Sequence, residues 1–283
     1  MDRERPGATP DITIRDLSTL EDYQACVALQ EATWGVGFSE RVPAAILRVA
    51  QKVGGVSAGA FDAAGDMAGF VFGITGVRDG ELVHWSDMLA VRRDLRGRHI
   101  GERLKQYQRE KVRALGVRSM LWTFDPLMAP NAHFNFNRLG ARPVEYVPDM
   151  YGSNTGSTLH GTLPTDRFIM RWELHAAREG PAGEDTSHTE REAPLANPLA
   201  ADGMPGTSFG LQAPMEPAYR VQIPDDFGAI SATGPHQARR WRESVRHAVI
   251  TLLSHGYRVD AFRRATPGRL PYYTLVHQDS DHR

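Results

Sequence analysis

One stretch decides the fold, and from Met88 to Leu104 it reads Met-Leu-Ala-Val-Arg-Arg-Asp-Leu-Arg-Gly-Arg-His-Ile-Gly-Glu-Arg-Leu. Its apolar first part predicts a strand, and the residues from Gly101 to about Leu115 predict a helix closed by Gly116. A helix that follows a strand and a short turn starts with backbone N–H groups that lack intrahelical partners. The turn before Gly101 therefore predicts a site that suits a phosphate.

The same turn is rich in positive charge. Five arginines fall between positions 92 and 103, in a chain whose formal net charge is -1. A local excess of this kind attracts anions. A solvated basic loop at a helix start would show the same charges, so the charges alone leave both interpretations open.

The composition is typical of a globular protein. The 283 residues are 41% hydrophobic and 24% charged, enough for one large domain or for one domain with a smaller second one. The balanced charge gives no reason to expect nucleic acid or an anionic membrane as a partner. The one cysteine, Cys26, excludes an intrachain disulfide or cysteine-based zinc site, and we expect no metal. No segment resembles a signal peptide or a membrane span, so we expect a cytoplasmic location.

The elements around the central stretch indicate the fold class. Residues 12–17 predict a strand, and a capping box at 18–21 predicts a helix with Leu20 and Tyr23 on its inner face. The other predicted elements of this part are a helix at 43–53, strands at 56–61, 68–74, 82–91 and 118–124, a helix at 131–139, and strands at 144–147 and 168–174. Antiparallel strands followed by a strand–helix–strand unit predict an α+β fold, with a mixed, mostly antiparallel central sheet flanked by helices.

The chain is predicted to have four parts. They are a disordered N-terminus at 1–11, a domain at 12–176, a flexible linker at 177–217, and a small β-α-β-β unit at 218–283. The linker is rich in Pro, Gly, Ser, Thr and acidic residues and shows little periodicity. A unit of about 65 residues buries little apolar surface alone, so we expect the C-terminal unit to dock on the preceding domain.

The predicted C-terminal helix, at 237–255, has one apolar face. Its apolar residues at helical spacing are Trp241, Val245, Val249 and Leu252. Arginines on neighbouring faces, at 239, 242 and 246, would suit a carboxylate-bearing substrate such as an amino acid. The alternative is that they form a solvated basic face or pair with the acidic linker.

The central stretch resembles the pyrophosphate loop of the GNAT superfamily of N-acyltransferases. Later segments resemble a bacterial branch of predicted acetyltransferases within it, namely Asp125-Pro126, Tyr151-Gly152, 163–167, Ile223-Pro224 and Trp241-Arg242. The family pattern is Gln/Arg-x-x-Gly-x-Gly/Ala. Arg96 and Gly101 match its first and last positions, whereas His99 stands at the inner glycine. Residues 132–141 resemble the family's Ala-x-x-x-Tyr-x-x-x-Gly-Phe signature, with Phe136 at the tyrosine. The resemblance extends from residue 12 to residue 174.

The resemblance implies that acetyl-CoA or another acyl-CoA binds at this stretch and that an amine attacks the thioester directly in a ternary complex. A backbone N–H of the fourth strand would hold the carbonyl oxygen as it gains charge. The residues implied in coenzyme binding are Leu89, Ala90, Val91, Arg96, Gly97, Arg98, His99, Ile100, Gly101, Glu102, Asn131 and Asn135. Asn131 has an alternative role as the cap of its helix.

The catalytic candidates are one carboxylate and two tyrosines. Asp87 is the candidate base, because strand alternation places it on the face of Trp85, Leu89 and Val91. Its alternative role is a hydrogen bond to a neighbouring loop, and His84 and Glu31 are the next candidate bases. Since Phe136 replaces the usual tyrosine, Tyr151 and Tyr146 are candidates to protonate the leaving thiolate, although both could be packing residues.

The acceptor side is predicted near Trp34, Phe38 and Trp85. Glycines beside the first two favour a mobile loop, whereas burial in the core is the alternative for both.

The function predicted from the sequence is transfer of an acetyl or other short acyl group from CoA to a primary amine of a small molecule, amino acids included. A homodimer is one compatible form. The alternative is a non-catalytic protein that binds or senses acyl-CoA on the same scaffold, which Phe136 favours. A nucleotide-phosphate binder is disfavoured, because no Gly-x-x-x-x-Gly-Lys-Ser/Thr element accompanies the turn.

Overall fold

The computed structural model describes residues 11–152, 155–157, 163–175, 192–206 and 215–278. The chain divides into two compact units. The first contains residues 1–122, 155–158 and 173–175, and the second contains residues 123–154, 159–172 and 176–283. This division differs from the predicted boundary at 176, because the later part of the predicted domain groups with the C-terminal residues. The predicted disorder at 1–10 and most of the predicted linker lie outside the described residues.

The first unit is built on a sheet with the strand order β1-β2-β3-β4-β5. The strands are β1 (Thr13–Asp16), β2 (Val56–Phe61), β3 (Met67–Arg78), β4 (Glu81–Val91) and β5 (Ser119–Phe124). The last two residues of β5 belong to the second unit. Neighbouring strands are antiparallel except β4 and β5, which are parallel.

Three helices accompany this sheet: α1 (Leu20–Trp34), α2 (Ala44–Lys52) and α3 (Ile100–Arg113). The predicted capping box is present one residue later than expected, between Thr19 and Asp22. Leu20 is 53% exposed, so its predicted place on the inner face was wrong, whereas Tyr23 and Cys26 are buried. The mixed, mostly antiparallel sheet with flanking helices confirms the predicted fold class.

The second unit contains an antiparallel pair, β6 (Arg142–Val147) and β7 (Arg167–Glu173). The last residue of β7, Glu173, is assigned to the first unit. Before this pair lies α4 (Ala129–His133), continued by a π-helical turn (Phe134–Arg138). The predicted helix at 131–139 thus begins two residues earlier, with a proline in its first turn, where the missing N–H costs no hydrogen bond.

The C-terminal residues of the second unit form a three-stranded antiparallel sheet with the order β8-β10-β9. Its elements are β8 (Ala218–Gln222), α5 (Phe227–Thr233), α6 (Pro235–Ser254), β9 (Tyr257–Arg263) and β10 (Tyr272–His277). The short helix α5 was not predicted. It is capped by Asp226, whose side chain accepts a hydrogen bond from the backbone N–H of Ala229. The predicted apolar face of α6 is buried as expected.

Part of the predicted linker is packed rather than flexible. In residues 192–206, Ala193, Ala196 and Asn197 are buried. The Asn197 side chain donates to the carbonyl of Gln222 (2.9 Å) and accepts from its backbone N–H (2.9 Å), which ties this segment to β8. Composition alone predicted disorder because it does not register these tertiary hydrogen bonds.

The C-terminal elements also contact the earlier residues of the second unit. The Tyr273 hydroxyl donates to the carbonyl of Pro126 (2.6 Å), and the Asn137 amide donates to that of Phe262 (3.3 Å). Among the described residues, no helix is both long and apolar enough to cross a membrane.

Candidate functional site

The turn before α3 contains two residues in the left-handed region of backbone conformation. His99 is the N-cap of α3 and has φ 58° and ψ 12°, in the left-handed region, and Gly97 has φ 80°. A residue with a Cβ in this region costs roughly 1–2 kcal/mol, which is why glycine is usual there. His99 therefore departs from the family pattern in residue type but keeps the conformation that glycine favours.

The start of α3 is open to an anion. The His99 side chain makes no capping hydrogen bond to the helix; it is largely exposed, with Nδ1 3.5 Å from Glu102. A Cβ on Gly101 would meet Leu89 and Val91 at ordinary contact distances of 3.5 and 3.8 Å. Since the protein itself has space for a side chain at 101, the glycine leaves that space over the helix start for a ligand.

The arginines of the turn differ in their partners. Arg92 bonds Asp94 (2.9 Å), and Arg103 donates to the carbonyl of Ile12 (2.6 Å). Arg96 donates to the carbonyl of Val91 (3.3 Å) and is otherwise exposed. Within the described ranges, Arg96 and Arg98 form no ion pair with a carboxylate. Positive charge therefore remains beside the helix start.

Among the described residues, strand β4 has one unpaired edge beside this turn. Its described pairing with β5 ends at Trp85, opposite Leu121, whereas its pairing with β3 continues to Val91. A register shift opposite Gly73 places one extra residue in β4 between Trp85 and Met88, which is a β-bulge. Backbone groups of β4 beyond the bulge are thus available to a ligand on the side away from β3.

Asp87 lies at the bulge and on the predicted face. Trp85, Leu89 and Val91 are partly exposed and Asp87 is exposed, whereas the alternating residues His84 and Met88 are buried. The pKa of Asp87 is raised by desolvation, and the charge of Glu40 adds to this effect, while hydrogen bonding by Trp85 opposes it. A solvent-accessible carboxylate with a raised pKa is suited to accept a proton.

The two other candidate bases occupy different settings. His84 is fully buried, and burial followed by the charge of Lys105 lowers its pKa to about 3. Its Nε2 lies 3.0 Å from the Gln108 amide nitrogen, which can only donate, so His84 is neutral with its proton on Nδ1. Glu31 forms an ion pair with Arg41. Neither matches the accessibility of Asp87.

A buried polar chain behind the bulge was missed by the sequence reasoning. Lys105 on α3 donates to the hydroxyl of Ser86 (2.8 Å), which donates to the Gln108 amide oxygen (2.7 Å). Lys105 is 4% exposed, and its ammonium lies 4.0 Å from the centre of the Trp122 ring. Burial lowers the pKa of Lys105 to about 7. The sequence signal that could have predicted this chain of hydrogen bonds was a lysine and a glutamine on the inner face of a helix.

The candidate proton donors lie in the second unit. The Tyr146 hydroxyl donates to the buried carboxylate of Asp166 (2.5 Å), which also receives Arg246 (2.9 Å from Nε to Oδ2). Burial, followed by the charge of Asp166, raises the pKa of Tyr146, and these contacts favour a structural role. The Tyr151 hydroxyl lies 3.1 Å from that of Thr123 and is more exposed.

Two of the three predicted arginines of α6, Arg242 and Arg246, neither lie on a solvated face nor pair with the acidic linker. Arg242 donates to both oxygens of Asp125, at 2.7 and 2.5 Å, and is 3% exposed. Arg246 pairs with Asp166, and Arg239 is exposed. The alternative interpretation of these side chains was therefore wrong for Arg242 and Arg246.

The remaining predicted residues are placed as follows. Trp34 and Phe38 stack with ring centres 5.7 Å apart and pack partly buried against the core of the first unit. Asn131 is exposed within α4, whose N-cap is Met128, so its alternative role as a cap was wrong. Asn135 is buried in the π-helical turn.

The structure brings most of the predicted coenzyme residues and Asp87 together in the first unit. Asn131, Asn135, Tyr146 and Tyr151 belong to the second unit. Phe136, at the usual tyrosine position, is buried among Phe124, Phe262 and Tyr273.

No protein-family model matches this sequence, and no curated protein is significantly similar to it. Several solved structures resemble part of it. A chain of the NatC complex bound to Gag peptide and CoA is 15% identical, covering 57% of this chain and 98% of its own, with a TM-score of 0.46. The ribosomal-protein-S18-alanine N-acetyltransferase from Escherichia coli is 19% identical, covering 62% and 99%, with a TM-score of 0.44. An acetyltransferase of the GNAT family from Streptococcus pneumoniae is 16% identical, covering 58% and 99%, with a TM-score of 0.46. At this level of similarity, the reaction has to be inferred from the chain's own residues.

Proposed function

We propose that this chain is a GNAT-type N-acyltransferase that transfers an acetyl or other short acyl group from CoA to a primary amine of a small molecule. The observation that carries the proposal is strand β4. Among the described residues, its edge away from β3 is unpaired beyond Trp85, and it leads into the start of α3, which has no side-chain cap. The helix start and the arginines of the turn suit the pyrophosphate. The unpaired strand edge suits the amide groups of the pantetheine arm.

The reaction is a direct attack. The amine nitrogen bonds to the thioester carbonyl carbon, and its proton passes to Asp87. The carbonyl oxygen gains a negative charge, which a backbone N–H of β4 near Leu89 to Val91 stabilises. Collapse of the intermediate breaks the carbon–sulfur bond and releases the CoA thiolate. Protonation of the thiolate by Tyr151 stays a prediction, as do the cytoplasmic location and the homodimer.

Coenzyme binding is tested by Gly101→Glu. A carboxylate over the helix start opposes the pyrophosphate charge and fills its space, so acetyl-CoA affinity measured by calorimetry should fall by roughly 10²-fold or more, the scale of a like-charge clash. Gly76→Glu is the matched control, because a side chain at Gly76 meets nothing within 4 Å and Gly76 has an ordinary φ. Equal affinity in the Gly101 variant and this control would contradict the assignment.

The catalytic role of Asp87 is tested by Asp87→Asn. Turnover, followed as free CoA thiol with a pool of primary amines, should fall by roughly 10²-fold, the usual scale for loss of a general base. Wild-type turnover should also fall as the pH drops below the raised pKa of Asp87, because the protonated carboxyl cannot accept a proton.

The same assay separates the alternative function. A wild-type protein that binds acetyl-CoA tightly but releases no thiol with any amine would be an acyl-CoA binding or sensing protein. The buried Phe136 in place of the usual tyrosine is the observation that favours this alternative.

A further inference from the structure

A small pocket in the second unit is walled by charged side chains. Two guanidinium groups and one carboxylate line it, from Arg167, Arg242 and Asp125. The other lining residues are Leu163, Pro164, Thr165, Phe227 and Ser231. Its enclosed part has about 10 Å³, the space of one water-sized group, and it opens to the surface. The described charged groups of the wall thus carry two positive charges and one negative charge.

Arg242, one of the residues that line this pocket, has one donor without a partner among the described residues. Its two terminal nitrogens bond the two oxygens of Asp125, and its guanidinium lies 5.2 Å from the centre of the Phe227 ring. Its Nε is buried and, among the described residues, has no hydrogen-bond partner. A buried N–H of a charged group without an acceptor is costly, so an acceptor from a ligand would be stabilising.

Arg167 is the second cation of the wall. It is 5% exposed; its Nη1 donates to the carbonyl of Asp166 (2.9 Å) and lies 3.8 Å from Asp125, longer than the bonds from Arg242. Burial lowers the pKa of Arg167, and the attraction of Asp125 does not fully offset this effect. Its guanidinium also lies 5.4 Å from the centre of the ring of Tyr151, the candidate proton donor. A further anion beside Arg167 would favour its charged form.

We propose that this pocket binds the carboxylate group of a small molecule through Arg167 and Arg242. Guanidinium groups recognise planar carboxylates with directed hydrogen bonds. The space of one water-sized group admits one carboxylate oxygen. The proposal stands independently of the acyltransfer reaction, since it concerns side chains of the second unit alone.

Thermal melting of the full chain tests the site, with sodium acetate as the probe at constant ionic strength against sodium chloride. Acetate should raise the melting temperature of the wild type in a saturable way. In Arg167→Met the apparent affinity should fall at least tenfold, whereas Arg239→Gln, an exposed arginine on the same helix as Arg242, should bind acetate as the wild type does. Phosphate should stabilise all of these proteins equally and without saturation, as a general salt effect.

A second variant leaves the ion pairs intact. Ser231→Phe adds bulk to the pocket wall, and it should abolish the acetate effect, while Ala232→Phe on the exposed neighbouring position should not. Equal acetate stabilisation in the Ser231 variant and its control, or in Arg167→Met and the wild type, would overturn the proposal.

The source of the carboxylate is distinguished by turnover. If the acceptor supplies it, Arg167→Met should raise KM for an amino acid at least tenfold and leave KM for the corresponding decarboxylated amine unchanged. If a separate ligand supplies it, both KM values should be unaffected while the acetate effect on melting is lost. A wild-type protein that binds acetate but shows no turnover with any amine would refute the proposed function and would leave the proposed carboxylate site supported.

Discussion

Two regions of the molecule bury cationic side chains and stabilise them in opposite ways. In the first unit, the Lys105 ammonium contacts a hydroxyl and an indole ring, and burial lowers its pKa to about 7. In the second unit, burial alone would lower the pKa of Arg242, but the charge and hydrogen bonds of Asp125 raise it. The lysine has neutral described neighbours, whereas the arginine has a counterion.

This difference follows from the chemistry of the two side chains. Removing a cation from water costs several kcal/mol, whichever residue carries it. A lysine can avoid this cost by releasing its proton, whereas arginine keeps its proton at any physiological pH. Buried Arg242 therefore requires a carboxylate, and Lys105 can be accommodated by neutral groups.

The largest effect on the unfolding free energy is expected for Asp125→Asn, which removes the counterion of Arg242 while nearly preserving the shape of the side chain. Burial raises the pKa of Asp125, but the charges of Arg242 and Arg167 lower it below the usual value, so the wild-type carboxylate is ionised. Its loss leaves buried arginine charge and should cost about 3–5 kcal/mol of unfolding free energy, measured with denaturant at pH 7. The control is Asp202→Asn, an exposed partner of Arg240, which should change little. If both variants changed the unfolding free energy only slightly, buried Arg242 would not require its counterion, and the contrast with Lys105 would be wrong.

Lys105→Met is expected to change the unfolding free energy less, and to raise it rather than lower it. At pH 6 the buried ammonium is charged and destabilising, so the variant should be more stable by on the order of a few kcal/mol. Between pH 7 and 10.5 the unfolded chain holds the proton that the folded protein has released, so wild-type stability rises with pH there. The advantage of the variant should therefore shrink across this window.

Lys111→Met is the control for that experiment, because Lys111 is partly exposed and pairs with Asp16. It should show no gain at pH 6. A Lys105 variant that is less stable than the wild type at every pH would mean that its hydrogen bond and ring contact outweigh the desolvation of the ammonium.

The smallest effect is expected for Tyr146→Phe, which removes one of the donors to Asp166 and leaves Arg246 in place. The unfolding free energy should fall by about 1.5–3 kcal/mol, the cost of one hydrogen bond to a buried charged group. Tyr219→Phe, which loses only a 3.3 Å hydrogen bond from the Met215 N–H, should cost less. Equal losses would show that Asp166 is sufficiently stabilised by its remaining donors, Arg246 and the backbone N–H of Asp149.

The local sequence pattern was sufficient to predict structure where the interacting residues are close together in the sequence. The strand, the turn and the helix start from Met88 to Gly101 follow from periodicity and from the missing hydrogen-bond partners of a first helical turn. The exposed face of Asp87 follows from strand alternation, and the buried face of α6 follows from helical spacing. These properties depend on residues only a few positions apart.

By itself, therefore, the sequence determined the order of the elements, the strand–turn–helix from Met88 to Gly101 and the exposed face of Asp87. Only the tertiary structure decided that Lys105 is buried without a described counterion and that Arg242 bonds Asp125, 117 positions away. It also decided that His99 adopts the backbone conformation favoured by glycine. The physical reason is that the partner of a buried charge is selected by packing between segments that are distant in the sequence. The local sequence pattern around a residue carries no information about which distant residue that partner is.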